Sequence, residues 1–231
     1  MTVLAAGRPS AVDGTVNRGA AGGFAAALVA DGGAHWLVEA GERWIRLPVD
    51  RWHGGAEPAL AAVLRRCTGP TLDVGCGPGR ATRALVEAGV TAVGVDVDAE
   101  AIRLTRARGA VALRRDVFAP MPGEGRWAHV LLLDGNIGIG GDPVTLLRRC
   151  RDIVHPGGTV LVEVEPAGPG LWRGDGHLAR RGAGGVLRCG PSFRWARLDE
   201  RVLPGVAVAA DLTTDDLIEW DGRRFGVLER R

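Results

Sequence analysis

The sequence predicts an α/β fold in which a doubly wound, mostly parallel sheet carries helices on both faces. From Pro70 onward, short apolar runs typical of strands alternate with amphipathic stretches typical of helices. This alternation is the pattern of parallel β-α-β units. A glycine-rich turn joins the first of these strands to the first helix, and the chain ends in two strand-like runs joined by Asp221-Gly222. Asp-Gly between such runs is a strong hairpin signal, so the sheet is expected to finish antiparallel.

Composition and charge narrow the class of protein. The 231 residues suit one domain, or one domain with an appendage, and 46% hydrophobic with 24% charged residues fits a globular protein rather than a disordered or membrane one. The longest uncharged stretch near the start, 19–30, is too short to span a bilayer and precedes no clear cleavage site. A net charge of +2 provides no basic field for nucleic acid. We therefore expect no membrane or nucleic-acid partner.

The four cysteines indicate a reducing location. They stand singly at 67, 76, 150 and 189, without a CxxC pair or any spacing typical of metal ligands. Scattered cysteines of this kind are typical of reduced, buried thiols. The prediction is a cytoplasmic protein without a metal site.

The first part of the chain is expected to form an extension. We predict a short helix over 23–30, a β-hairpin from 35–39 and 43–47, and a helix over 57–66. Residues 1–66 are assigned to an N-terminal helix and hairpin extension that covers the site, and residues 67–231 to the core.

The core elements follow from apolar periodicity and from helix caps. Asp98 is a suitable N-cap, Asp142-Pro143 is an N-cap and first-turn pair, and His155-Pro-Gly-Gly158 ends the preceding helix. Residues 166–190 are rich in glycine and arginine and predict an excursion from the sheet, and 194–203 predicts a helix. Strands are predicted at 70–74, 90–96, 110–113, 127–134, 159–165, 214–220 and 223–229, and helices at 80–88, 99–107 and 143–154.

The glycine-rich turn carries the strongest signal for a ligand. Its pattern is Asp73-x-Gly75-x-Gly77-x-Gly79, followed by Arg80. Glycines permit a sharp turn and allow a ligand to lie against bare backbone beside a helix N-terminus. The dinucleotide fingerprint requires glycine or alanine where Arg80 stands, so a nicotinamide dehydrogenase is disfavoured.

This pattern resembles the first motif of class I S-adenosylmethionine (SAM) dependent methyltransferases. Asp96 ends the next strand, where the family places a carboxylate on the ribose hydroxyls, and Asp116 matches the residue that meets the adenine amino group. Asp134 ends the fourth strand, and 155–158 resembles the Pro-Gly-Gly turn before the fifth. The resemblance implies a SAM cofactor held by Asp73, Gly75, Cys76, Gly77, Gly79, Asp96, Val97, Asp116, Val117 and Asp134.

The resemblance also completes the expected fold. It covers 69–165 closely and implies seven strands in the order 3-2-1-4-5-7-6, with the last strand antiparallel. Class I enzymes commonly insert substrate-recognition elements where 166–190 lies. The segment 134–143 is similar to a subgroup of small-molecule methyltransferases common in actinobacteria.

The candidates for the chemical step lie where ligands bind in doubly wound sheets, beyond the carboxyl ends of the strands. Methyl transfer needs chiefly binding and orientation, and a base only if the acceptor is protonated. The candidate catalytic residues are Asp134, Asn136, Glu163, Glu165 and His53. Two alternatives stay open: ion pairs with arginines for the glutamates and a surface loop for His53. Trp36, Trp44 and Trp52 could wall an apolar pocket or pack in the core.

The function predicted is methyl transfer from SAM to an oxygen or nitrogen of a small molecule. The sequence leaves open a SAM-binding cyclase, lyase or regulatory module, and a protein methyltransferase. A nucleic-acid enzyme is less favoured because Asp134-Gly-Asn-Ile137 replaces the Pro-Pro-aromatic motif of enzymes that act on flipped bases. Substrate identity, the methylated atom and the oligomeric state are not determined by the sequence.

Overall fold

The computed structural model describes residues 23–28, 33–41, 43–168, 170–181 and 187–231, and two β-sheets organise them. The strands are β1 (His35–Glu39), β2 (Arg43–Arg46), β3 (Thr71–Val74), β4 (Ala92–Asp96), β5 (Val111–Arg114), β6 (Trp127–Leu132), β7 (Val154–Val164), β8 (Leu171–Arg181), β9 (Leu187–Leu198), β10 (Thr213–Trp220) and β11 (Arg223–Glu229). The helices are α1 (Ala25–Leu28), α2 (Val49–His53), α3 (Pro58–Leu64), α4 (Arg80–Glu87), α5 (Ala99–Ala107), α6 (Pro143–Ile153) and α7 (Leu203–Ala209), with a 3-10 helix at Asn136–Gly141.

The larger sheet has the strand order that the sequence predicted. Its seven strands run β10-β11-β7-β6-β3-β4-β5, which is 3-2-1-4-5-7-6 when these strands are numbered along the chain. β11 pairs antiparallel with both β7 and β10, and the other neighbours pair in parallel. The prediction of a doubly wound sheet whose last strand is antiparallel is confirmed.

Both faces of this sheet are buried because successive side chains of a strand point to opposite faces. In β6, Val130 and Leu132 join the apolar cluster beneath α6 and α7. Leu131 and the following Leu133 join the cluster beneath α3 and α4. A strand buried on both sides needs the continuous apolar run that the sequence has here.

The smaller sheet combines two distant parts of the chain. Its order is β2-β1-β8-β9, and its neighbours are antiparallel. One face carries Leu37, Leu178, Phe193 and Trp195, which pack into a third apolar cluster. A buried ion pair anchors the sheet: Arg197 Nε donates to Glu39 Oε1 (2.5 Å). The N-terminal hairpin and the excursion after β7 therefore form one structure.

One predicted element is wrong. Residues 194–203 do not form a helix, because residues 194–198 belong to β9 and α7 begins at Leu203. Pairing with β8, together with burial of Phe193 and Trp195, overrides local helical preference.

Several other boundaries differ from the sequence predictions. The excursion forms two strands that extend to Leu198, beyond the predicted limit at 190. Of the helix predicted at 23–30, the structure gives Ala25–Leu28, and residues 29–30 lie outside the described part. Within the described residues, none of the helices is long and apolar enough to cross a membrane.

Candidate active site

A cavity of about 510 Å³ opens at the carboxyl edge of the larger sheet. Its floor is formed by the loops after four neighbouring strands, β5, β4, β3 and β6, and its roof by residues of α1, α2 and β9. Its size is typical of small-molecule sites. The smaller sheet thus contributes to closing the edge where doubly wound sheets bind ligands.

The glycine-rich turn lies against this cavity in a conformation that favours glycine. Gly75, Gly77 and Gly79 have φ angles of +69°, +51° and +83°. The hydroxyl of Thr105 donates to the carbonyl of Gly77 (2.8 Å), and a Cβ on Gly79 would lie 2.6 Å from that side chain. The turn is therefore fixed by α5, and its bare backbone faces the cavity.

Asn136 locks the same turn from the opposite side. Its Nδ2 donates to the carbonyls of Val74 and Gly75, both at 2.9 Å. A Cβ on Gly75 would lie 2.6 Å from Nδ2, so this close approach requires glycine. Asn136 lines the cavity, as predicted, with its amide nitrogen engaged by backbone carbonyls.

Two carboxylates lie on the side of the cavity formed by β4 and β5. Asp96 Oδ2 accepts from the amide of Gly77 (3.1 Å), and Oδ1 accepts from the amide of Asp98 (2.9 Å). Burial raises the pKa of Asp96. Asp116 Oδ1 accepts from the amide of Phe118 (2.9 Å). Each carboxylate keeps acceptor capacity for a ligand, because a carboxylate offers about four lone-pair positions.

Asp73 and Cys76 line the cavity and also fix the fold around it. Asp73 Oδ2 accepts from the amide (3.2 Å) and hydroxyl (2.6 Å) of Thr82, which ties β3 to α4. Burial raises the pKa of Asp73 to about 6. Burial also raises the pKa of the Cys76 thiol, so this cysteine is kept neutral.

Asp134 is held by arginines that the sequence analysis did not place in the site. It has φ +52°, its Oδ1 accepts from Arg51 and its Oδ2 from Arg80, each at 2.8 Å. Arg80 is buried, with 4% of its side chain exposed, and it also pairs with Glu57. Both carboxylate oxygens of Asp134 are thus engaged by guanidinium groups.

Three predicted catalytic residues do not line the cavity. Glu163 accepts from Arg223 (2.7 and 2.8 Å) and from the amide of Asp134 (2.6 Å), and burial raises its pKa to about 7. Glu165 pairs with Arg197 (2.8 Å). For both glutamates the geometry matches the ion-pair alternative.

The contact that joins His53 to the core is made by its backbone carbonyl. Its carbonyl accepts from Arg108 (2.5 Å), which ties the end of α2 to the core. His53 is not among the residues that line the cavity.

Aromatic side chains from three segments form one wall of the cavity. Trp52 lines it as predicted, together with Phe24 and Trp195. Trp36 and Trp44 instead pack against each other, with ring centroids 6.2 Å apart, away from the lining. Phe24 and Trp195 were missed because no local pattern signals that segments so distant in sequence meet.

Comparison with known proteins agrees with this geometry. Residues 71–158 match the family model described as a methyltransferase domain. The fold matches a SAM-dependent methyltransferase from Bacteroides fragilis in complex with S-adenosylhomocysteine (SAH), with a TM-score of 0.68, 20% identity and coverage of 92% of this chain and 94% of that one. No curated protein sequence matches the chain significantly.

Two further solved structures share the fold at lower similarity. One is the Burkholderia thailandensis 1,6-didemethyltoxoflavin-N1-methyltransferase (TM-score 0.57, 20% identity, covering 78% and 81% of the two chains). The other is CalS10, an amino pentose methyltransferase from Micromonospora echinaspora (TM-score 0.56, 16% identity, covering 79% and 94%). These proteins were crystallised with SAH and SAM, respectively. The family model thus covers the segment from β3 to the start of β7, and the solved structures share the fold of the chain.

Proposed function

We propose that this protein transfers a methyl group from SAM to an oxygen or nitrogen of a small molecule. One observation carries the proposal: the glycine-rich turn, Asp96 and Asp116 come from the ends of adjacent strands and line one cavity. Those residues suit SAM, because bare backbone can approach the ligand closely while the two carboxylates accept from its ribose hydroxyls and adenine amino group.

The chain's own residues act by binding and orienting the two reactants. SAM, when bound, supplies a methyl group on a positively charged sulfur. The fixed glycine turn and the aromatic wall leave little freedom for either reactant and exclude water, which favours in-line displacement. An acceptor lone pair forms the new bond to the methyl carbon as the carbon–sulfur bond breaks, and the electron pair of that bond stays on sulfur.

The described cavity residues include no histidine, and the carboxylate of Asp134, a candidate catalytic residue, is occupied by Arg51 and Arg80. The two carboxylates with free acceptor capacity, Asp96 and Asp116, are assigned above to the ribose and adenine of SAM. We therefore infer that the acceptor atom presents its lone pair without help from a protein base. A neutral nitrogen or an already ionised oxygen meets this requirement, and any proton on the product leaves to water.

The same proposal includes the location of the enzyme, its class of substrate and the roles of its segments. We place the enzyme in the cytoplasm, acting on a small molecule rather than nucleic acid, within the actinobacterial subgroup that residues 134–143 resemble. Residues 1–66 would cover the site, residues 67–231 would bind SAM, and the excursion that begins at residue 166 would contact substrate. Methylation of a protein, and SAM binding without methyl transfer, are the alternatives to be tested.

Isothermal titration with SAM, SAH and NAD tests the cofactor assignment. We expect micromolar binding of SAM and SAH and no heat of binding with NAD. A protein that binds NAD, or neither sulfur ligand, would contradict the proposal. Appearance of SAH during incubation with SAM and acceptor would separate methyl transfer from a purely regulatory role.

A further inference from the structure

The aromatic wall adjoins the loop after β6, whereas the two carboxylates that suit adenosine follow β4 and β5. Phe24, Trp52 and Trp195 form this aromatic patch, with the Phe24 ring centroid 4.9 Å from that of Trp195 and 6.3 Å from that of Trp52. The patch lies beside the end of β6. Arg51, next to Trp52, binds Asp134 there, and Trp195 packs on Gly138 of the 3-10 helix.

Strand order separates this patch from the cofactor side. The larger sheet places β6, β3, β4 and β5 side by side, and each step between strands covers about 4.8 Å. Asp96 and Asp116 follow β4 and β5, whereas the aromatic patch adjoins β6. If SAM binds as proposed above, the patch is left to the methyl acceptor.

The lining around the patch adds further apolar surface. Ile139 packs on the cluster that contains Phe24, Trp52 and Trp195, and Leu133 also lines the cavity. An apolar face of a ligand would therefore meet apolar side chains here.

We propose that the methyl acceptor is a planar aromatic or heteroaromatic small molecule that packs against the aromatic patch of Phe24, Trp52 and Trp195. Aromatic rings pair favourably at the separations seen within this patch. A sugar would place several hydroxyls against these apolar rings, which cannot replace the hydrogen bonds that the hydroxyls make with water. The proposal rests on the function proposed above and specifies its substrate class.

A matched pair of probes tests the wild-type protein directly. The protein is saturated with SAH and titrated by calorimetry with 2-naphthol, with decahydro-2-naphthol and with glucosamine. The first two share a fused two-ring skeleton and a hydroxyl and differ in aromaticity. We expect 2-naphthol to bind at least tenfold more tightly than either other probe. Equal binding of the two naphthols, or tighter binding of glucosamine, would overturn the proposal.

Variants of Trp52 test the ring contact. Trp52→Phe keeps an aromatic ring, and we expect at most about threefold weaker binding of 2-naphthol. Trp52→Leu removes the ring and should weaken binding about tenfold. Trp44→Leu is the control, because Trp44 is 46% exposed and lies outside the cavity lining. Unchanged affinity in both Trp52 variants would contradict the proposed contact.

The SAH titration distinguishes this failure from failure of the proposed function. A protein that binds SAH but shows no aromatic preference is a methyltransferase candidate with a different acceptor class. A protein that does not bind SAH contradicts the proposed function itself. Melting temperatures of the variants identify any loss of binding that is due to unfolding.

Discussion

Arg80 bears on the site in two ways. It stands where a dinucleotide-binding turn needs glycine or alanine, and it joins Glu57 and Asp134 across the base of the cavity. The first point, which disfavours a nicotinamide cofactor, could be argued from the sequence. The ion pairs could not, because Glu57 and Asp134 are far from Arg80 along the chain and nothing local links them.

Removal of Arg80 should destabilise the fold. Arg80→Met removes one of two arginine partners from each carboxylate, since Glu57 keeps Arg223 and Asp134 keeps Arg51. We therefore expect the free energy of unfolding to fall by about 1–3 kcal/mol, the cost of unpaired buried polar groups. Urea denaturation measures the loss. Arg83→Met on the same helix is the control: Arg83 is 42% exposed in its pair with Glu87, and its loss should cost below about 1 kcal/mol. Similar losses in both variants would contradict the network's role.

Asp96 gives the corresponding prediction for cofactor affinity. Asp96→Ala removes the carboxylate that we assign to the ribose, and SAM should bind at least about tenfold more weakly, since hydrogen bonds to charged groups are worth about 1.5–3 kcal/mol. Calorimetry provides the measurement. Asp215→Ala, an exposed change in β10, should leave affinity unchanged. Wild-type affinity in Asp96→Ala would remove Asp96 from the site.

At the scale of elements, the sequence predicted the regular units and missed those that depend on distant contacts. Helix caps such as Asp98, which accepts from the amide of Glu100 (2.7 Å), are local and were recognised. The end of β9, residues 194–198, was predicted as helix because its partner β8 and its apolar neighbours are fixed only by the tertiary structure. The 3-10 helix was missed for the same reason: it is held between the glycine-rich turn and β9.

Two glycines should respond in opposite directions to the same substitution. A Cβ at Gly138 would lie 2.2 Å from the carbonyl oxygen of Ala196, so Gly138→Ala must push the 3-10 helix away from β9. We expect a loss of at least about 1–3 kcal/mol, the usual cost of overpacking. Gly205→Ala, in α7 with nothing within 4 Å, should add about 0.4–1 kcal/mol. Melting temperatures that move in the same direction would contradict this account.

At the scale of the whole molecule, the fold was more predictable than the site. The order of the seven strands followed from a resemblance centred on the glycine-rich turn. Four of the acidic residues that line the cavity, Asp73, Asp96, Asp116 and Asp134, had been predicted as site residues. The roof of the cavity was only partly foreseen, because Phe24 and Trp195 come from segments whose meeting depends on the smaller sheet. Glu163 and Glu165 were recognised as buried carboxylates, but their arginine partners could not be identified from the sequence.

Buried carboxylates should also give stability a measurable pH dependence. Burial raises the pKa of Asp73 from 3.8 to about 6, so the folded state binds a proton that the unfolded state has lost between these pH values. The contribution of Asp73 to the free energy of unfolding is therefore fully present below about pH 4, and it is lost as the pH rises through about 6. Since each pKa unit is worth about 1.4 kcal/mol, the loss is about 3 kcal/mol.

Asp73→Asn isolates this contribution. Asparagine has no charge to bury. The free energy of unfolding of the variant minus that of the wild type should therefore increase as the pH rises from 4.5 to 7.5. Urea denaturation of both proteins across this range measures the difference and cancels the contributions of other titrating groups. A difference that does not change with pH would contradict a raised pKa for Asp73.

The smaller sheet imposes an order on folding during synthesis. β1 and β2 leave the ribosome early, but the partner of β1 is β8, and the Glu39–Arg197 ion pair joins positions 158 residues apart. A two-stranded hairpin is marginally stable alone, so the roof can be completed only after nearly the whole core has been made. The cavity of the nascent core is expected to stay open until then. The chain should therefore bind its ligand only after the smaller sheet has formed.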